Sequence, residues 1–155
     1  MGADQGLQVC SPVAGRVVAM SDVPDPVFAG AMVGPGVAVD PARSPGAAVS
    51  PVAGTLVKLH PHAFVVVMAD GRGVLVHLGI DTVQLKGAGF ELLAGEGDAV
   101  GAGGPVVSWD PTAVEAGGRS PICPVVALDA AAGAVSDPGP PGRVVTAGDR
   151  LFIWT

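Results

Sequence analysis

SPVAGRVVAM, residues 11–20, returns 39 positions later as SPVAGTLVKL, residues 50–59. Each copy is a Pro/Gly turn followed by an alternating or β-branched run, the signature of a turn that feeds a strand. A second echo lies downstream: VGAGGPVVSW at 100–109 and VTAGDRLFIW at 145–154, offset by 45 residues. Turn-strand units are therefore used twice. Such a chain predicts an all-β antiparallel sandwich or flattened barrel, because closure removes the edge strands that so much valine would make adhesive. Helix is expected only as short turns, one near Asp25 to Ala31 and one at Pro111 to Ala116. In the second, Asp110 is placed to cap and Pro111 to open the helix. GAVSDPGPPG, 133–142, reads as loop, since its prolines lack donors and its glycines weaken any ladder.

Composition sets the bounds. The 155 residues fit a single domain over 1–155, with 1–9 expected to be a flexible N-terminus. Glycine and proline are abundant (24 and 15), but 49% hydrophobic and only 14% charged residues let the chain bury enough apolar surface to offset its ordering entropy. The net charge of −6, with two lysines and no basic cluster, argues against a nucleic-acid partner. The longest apolar run, Ala63 to Ala69, has seven residues, far short of the roughly 20 that span a bilayer. The first residues, MGADQGLQVCSP, have neither the basic nor the apolar region of a signal peptide, so a cytoplasmic protein without membrane insertion is expected. Cys10 and Cys123 are too few for a disulfide scaffold and read as small buried side chains.

The chemistry centres on ADGRGVLVHLGIDTVQLKG, residues 69–87, where one of only three histidines stands inside a strand-like run. Asp70-Gly71 is the dipeptide favoured in a two-residue type I′ hairpin, which would pair residue 69 with 72. That register sets His77 opposite Phe64 and places His62 diagonally on the same face, within roughly 7 to 8 Å. Leu75, His77 and Gly79 would then share a face with His62, Phe64, Val66 and Met68. Asp81 follows just past the end of the strand. Burial disfavours imidazolium and keeps a ring nitrogen available as nucleophile or ligand.

Two chemistries fit such a pair. One histidine could attack phosphorus and carry the phosphoryl group while the other donates a hydrogen bond to a phosphoryl oxygen. Alternatively HPH at 60–62 and HLGID at 77–81 could supply zinc ligands, as in LytM-type peptidases, although here the order of HxH and HxxxD is reversed. Neither Lys58 nor Lys86 has the neighbours of a lipoyl or biotinyl attachment site.

Four blocks then carry a resemblance that covers about Cys10 to Ile153. They are SPVAGRVVAMSDVPDPVFAGAMVGPGVAVDP, SPVAGTLVKLHPHAF, GVLVHLGIDTVQLKGAGFE and CPVVALD. Together they resemble the glucose-family enzyme IIA domain of the bacterial phosphoenolpyruvate-dependent sugar phosphotransferase system. That resemblance implies an all-β fold of duplicated hybrid motifs and a phosphocarrier function. His77 would accept a phosphoryl group from phosphohistidine on HPr and pass it to a cysteine of enzyme IIB, with His62 supporting the group in the transition state. Asp81 would attract basic groups of these partners, and Phe28, Met32, Val33 and Leu75 would form an apolar docking rim. No cofactor and no metal is required; two neutral imidazoles, His62 and His77, are half of an adventitious zinc site. The sugar would be of the glucose or N-acetylglucosamine class. Relatives usually carry Thr where His60 stands, with a hydroxyl that can hold the ring of the supporting histidine; His60 would either replace it as a donor or face solvent, and solvent is the expectation. A purely regulatory interaction protein that keeps the fold and the histidines is the non-enzymatic alternative.

Overall fold

A computed structural model describes residues 6–136 and 138–155. The duplicated sequence folds as duplicated structure. The first SPVAG turn leads from strand β1 (Leu7–Cys10) into β2 (Gly15–Ala19), and the second leads from β4 (Gly46–Val49) into β5 (Gly54–His60). In each turn the serine hydroxyl is fully buried and donates to the carbonyl two residues on, Ser11 Oγ to Val13 O and Ser50 Oγ to Val52 O, both at 2.6 Å. The two turns also hold each other: Cys10 N donates to Pro51 O and Val49 N donates to Pro12 O, each at 2.9 Å.

The remaining strands are β3 (Gly36–Pro41), β6 (Ala63–Val67), β7 (Gly73–His77), β8 (Phe90–Leu92), β9 (Ala99–Val100), β10 (Pro105–Trp109), β11 (Cys123–Ala127), β12 (Val135–Ser136), β13 (Val144–Val145) and β14 (Arg150–Trp154). An eight-stranded sheet runs β13-β2-β3-β11-β7-β6-β5-β9, beside two three-stranded sheets, β1-β14-β12 and β4-β10-β8. Read outward from its centre, the large sheet matches β11 with β7, β3 with β6, β2 with β5 and β13 with β9. The small sheets match strand for strand. The later repeats supply β9 with β10 and β13 with β14, so the 39-residue and 45-residue offsets both mark this pseudo-twofold. Every strand pairing is antiparallel, the all-β sandwich that the repeats predict.

The main core lies inside these sheets, built from Val9, Val39, Val52, Leu56, Phe64, Val66, Val74, Val76, Leu78, Val106, Leu151 and Phe152 among others. A smaller apolar cluster covers the outer face of the middle strands, where Ala38 and Val126 meet Met20, Val23, Phe28 and Ile80. Both short helices form where capping chemistry places them. Asp25 accepts from Val27 N ahead of α1 (Pro26–Ala29), and Asp110 accepts from Thr112 N ahead of α2 (Pro111–Ala116).

Two expectations at the ends of the chain change. Residues 7–9 are not a flexible leader: they belong to β1, which pairs with β14, and Val9 is fully buried. Residues 1–5 lie outside the described residues. Within 133–142, Val135–Ser136 is a short strand paired with Trp154 and Ile153, because that stretch precedes the prolines and keeps its backbone donors.

Ser50→Ala removes a buried hydroxyl and leaves the Val52 carbonyl unsatisfied, which costs about 1–3 kcal/mol. Ser11→Ala is expected to cost the same within error, because the two turns are structural copies. Urea denaturation of both single variants measures it; a large loss at one turn and none at the other would contradict the equivalence.

Candidate functional site

The β6–β7 hairpin sets the site, and its turn differs from the type I′ expectation. Met68 pairs with Arg72 (Met68 N to Arg72 O, 2.8 Å), closing a three-residue loop in which Gly71 alone has positive φ, +91°. This is the geometry of a turn followed by a glycine bulge. Asp70 stays out of the left-handed region, and its carboxylate accepts from Arg72 N and Arg72 Nε at 3.0 and 2.8 Å.

The register moves by one residue as a result. His77 pairs with Ala63, Phe64 with Val76 and Val65 with Leu75. Leu75 and His77 therefore share the outer face with Ala63 and Val65, whereas Phe64 and Val66 point into the main core. A one-residue slip should have separated the histidines. They nevertheless stand together, with ring centroids 5.2 Å apart and planes at 67°.

The reason lies at the other end of β6. His60 pairs with Ala63, so Pro61-His62 forms the two-residue turn between β5 and β6. His62 O still accepts from Leu78 N (2.7 Å), which continues the ladder. Strict pleating would send the His62 side chain inward with Leu78. Because His62 lies in the turn rather than the strand, its ring leaves the pleat and meets His77 on the outer face. Proline suits the first turn position through its fixed φ.

His77 is held by its own continuation. Gly79 adopts φ +83°, where a Cβ would come within 2.7 Å of Thr82 Cγ2 and 3.0 Å of Ser120 O. Its carbonyl turns back and accepts from His77 Nδ1 at 2.5 Å. A carbonyl only accepts, so Nδ1 carries the proton and Nε2 keeps its lone pair. The segment is fixed further on by Ile80 N donating to Ser120 O and by buried Thr82 Oγ1 donating to Leu78 O, both at 2.8 Å.

Burial lowers the pKa of His77 below its ordinary 6.5, opposed by the Gly79 carbonyl and by the carboxylates of Asp25 and Asp81. Burial also lowers that of His62, helped by the neighbouring His77 and His60. The pair is thus neutral imidazole set against carboxylates that would favour a cationic His77 ring.

The other expected residues separate by environment. Phe28, on α1, is buried with its ring 5.3 Å from His77, and half-buried Val33 and Leu75 pack against the same outer cluster. Met32 is 73% exposed. Asp81 is exposed at φ +60°, makes no side-chain cap to the 3-10 turn Thr82–Leu85, and its carboxylate acts on His77 through its charge. His60 faces solvent as expected, yet its ring also stacks on His62, 5.7 Å away at 23°. Asp25 and Gly79 were not singled out by sequence for this site. Asp25 signals a helix cap in DPVF, and only the fold brings that cap beside β7. Val27 on α1 and Val83 on the 3-10 turn are exposed hydrophobic side chains.

Both cysteines are buried and free, with thiol pKa values pushed up chiefly by burial. Among the described residues no group of three or more His, Cys, Asp or Glu side chains is arranged to hold a metal ion. Among the same residues no helix is long and apolar enough to cross a membrane.

The fold is thus an all-β sandwich of duplicated halves that sets two imidazoles together on its outer face. Residues 7–132 match the family described as phosphoenolpyruvate-dependent sugar phosphotransferase system, EIIA 1, and the chain belongs to that family. It is 42% identical over 120 residues to the PTS system glucose-specific EIIA component of Bacillus cereus, covering 76% of this chain and 72% of that protein. It is 46% identical over 121 residues to the PTS system N-acetylglucosamine-specific EIICBA component of Escherichia coli, covering 77% of this chain but 18% of that longer protein. The solved structure of glucose permease IIA from Mycoplasma capricolum superposes with a TM-score of 0.87 at 31% identity, covering 97% of each chain.

The lowered histidine pKa values predict a pH dependence. Between the lowered folded values and 6.5, the unfolded chain binds more protons than the folded one, so stability falls as pH drops. The contribution is fully present above about pH 6.5, declines below it and levels off once the folded rings protonate. Urea denaturation at pH 7.5, 6.0 and 5.0 is expected to show wild type losing stability relative to a His62→Gln/His77→Gln variant. Parallel curves would contradict the neutral pair.

Proposed function

We propose that the chain is a cytoplasmic phosphocarrier, a single domain over 1–155, that takes a phosphoryl group from HPr on His77 Nε2 and gives it to a cysteine of an enzyme IIB. The observation that carries this reading is the Gly79 carbonyl on His77 Nδ1, which commits the proton to one nitrogen and presents the other lone pair next to His62. The relatives support a sugar of the glucose or N-acetylglucosamine class.

In the loading step the His77 Nε2 lone pair forms a bond to phosphorus while the donor's P–N bond breaks, and the donor imidazole leaves with that electron pair. His77 becomes a phosphorylated imidazolium. Its positive charge lies in the field of Asp25, Asp81 and the Gly79 carbonyl, the groups that favour a cationic ring. In the discharge step a thiolate of enzyme IIB forms the S–P bond, and Nε2 leaves with its electrons as neutral imidazole. Burial assists this step because it favours the uncharged ring. His62, edge-on to His77, donates a hydrogen bond to the phosphoryl oxygens as charge redistributes. Phosphoryl transfer asks for positioning and charge stabilisation, and no bound cofactor or metal takes part in this scheme.

The docking face is proposed to combine exposed Met32, Val27 and Val83 with the acidic Asp81. Phe28, Val33 and Leu75 support it from below as part of the outer cluster. Partner positive charges would meet Asp81, which favours fast and oriented encounter.

Incubation with phosphoenolpyruvate, enzyme I and HPr, read by intact mass, tests the assignment. His77→Ala is expected to fold and gain no phosphoryl mass, and an adduct on His62 or His60 in that variant would sink it. His62→Gln is expected to load normally and discharge onto enzyme IIB roughly a hundredfold more slowly, about 2.7 kcal/mol of barrier. Normal discharge would reduce His62 to a packing residue. Met32→Asp sets an unpaired charge in a desolvated contact and is expected to weaken HPr binding by about 2 kcal/mol, with unchanged folding stability. Titration calorimetry measures the first and urea denaturation the second; unchanged affinity would remove Met32 from the interface.

A further inference from the structure

The His77 ring is fixed by a hydrogen bond, but the His62 ring is not. Among the described residues no protein group hydrogen-bonds to a His62 ring nitrogen, and its backbone lies in a turn outside the strand. A half-buried imidazole with two free torsions needs something else to keep it edge-on to His77. The flat neighbour is His60. It ends β5, pairs with Ala63 across the two-residue turn, and lays its ring nearly parallel to His62, at 23° and 5.7 Å between centroids.

We propose that His60 is a positioning residue, its ring stacked on His62 so that His62 stays edge-on to His77 and keeps an N–H aimed at the group His77 carries. The contact is built by sequence and register together. HPH places two imidazoles two residues apart around a proline, and the tight turn brings the first back beside the second. His60 is otherwise exposed, so the stack is its principal contact with the site. Offset near-parallel rings at this separation restrict one another's rotation and favour one orientation. His60 also acts electrostatically in the same direction, helping to keep His62 below its ordinary pKa. That leaves the His62 ring neutral, with one N–H and one lone pair, until a phosphoryl group arrives.

This inference rests on the phosphocarrier reading, and its test separates the two. His60→Ala removes the flat face, whereas His60→Phe keeps a flat face and removes the ring nitrogens. In unphosphorylated protein, nuclear Overhauser contacts between the His62 and His77 rings are expected to persist in His60→Phe and to weaken at least threefold in His60→Ala. In rapid-quench assays His60→Ala is expected to discharge onto enzyme IIB about tenfold more slowly with loading from phospho-HPr unchanged, and His60→Phe to discharge within twofold of wild type. Folding stability of both variants, from urea denaturation, should match wild type because His60 is exposed. Undiminished ring contacts or undiminished discharge in His60→Ala would overturn the role, as would failure of His60→Phe to rescue. If wild type accepts no phosphoryl group from HPr, the phosphocarrier reading fails instead, and the ring contacts still decide whether His60 positions His62.

Discussion

The hydrogen bond from His77 Nδ1 to the Gly79 carbonyl is the constraint on which the site depends. Its geometry requires Gly79 at φ +83°, where any side chain would strike Thr82 and Ser120. It requires β7 to end at His77, and it requires Ile80 and Thr82 to be tied to Ser120 and Leu78 so that the carbonyl cannot turn away. All but the tie from Ile80 to Ser120 are local in sequence, and together they fix one tautomer. Burial then keeps the ring neutral while Asp25 and Asp81 pull the other way, so the ring is poised between gaining and losing positive charge.

The duplicated framework does not itself carry this chemistry; the places where the copies differ do. The β2–β3 pair and the β5–β6 pair are pseudo-equivalent. Between β5 and β6 there are only Pro61 and His62, and this tight turn delivers an imidazole. Between β2 and β3 the chain makes a long excursion through α1, which lays Phe28 against His77 and brings the Asp25 carboxylate near it. The same contrast holds after β7 and its counterpart β11. Residues 79–82 follow the first as Gly-Ile-Asp-Thr and clamp the histidine, whereas Leu128 and Asp129 follow the second. Symmetry provides the antiparallel sheets, and the asymmetric connections provide the site.

This division explains what could be read in advance. The SPVAG copies announce strand, turn and pseudo-twofold because the same turn chemistry, a buried serine hydroxyl on the second carbonyl along, is written twice. The caps at Asp25 and Asp110 are legible because a single side chain and the following proline decide them. The hairpin register is not, because Asp70-Gly71 fits both the two-residue turn and the three-residue loop with a single left-handed glycine that the chain adopts. The histidine pair was expected from the wrong register and is found for another reason, the escape of His62 from the pleat at its turn. Asp25 reaches the site only through tertiary placement, and the His60 stack needs the tight turn at Pro61-His62 that brings the two rings side by side.

The central claim is that Nδ1 of His77 is committed and Nε2 is free to carry phosphorus. Long-range proton–nitrogen correlation spectra of the imidazoles, recorded before and after phosphorylation by HPr, test it most directly. The account predicts a neutral His77 ring protonated at Nδ1 beforehand, and phosphorus bonded to Nε2 of that same ring afterwards with the Nδ1 proton retained. Phosphorus on Nδ1 of His77, or on His62 or His60, would contradict it.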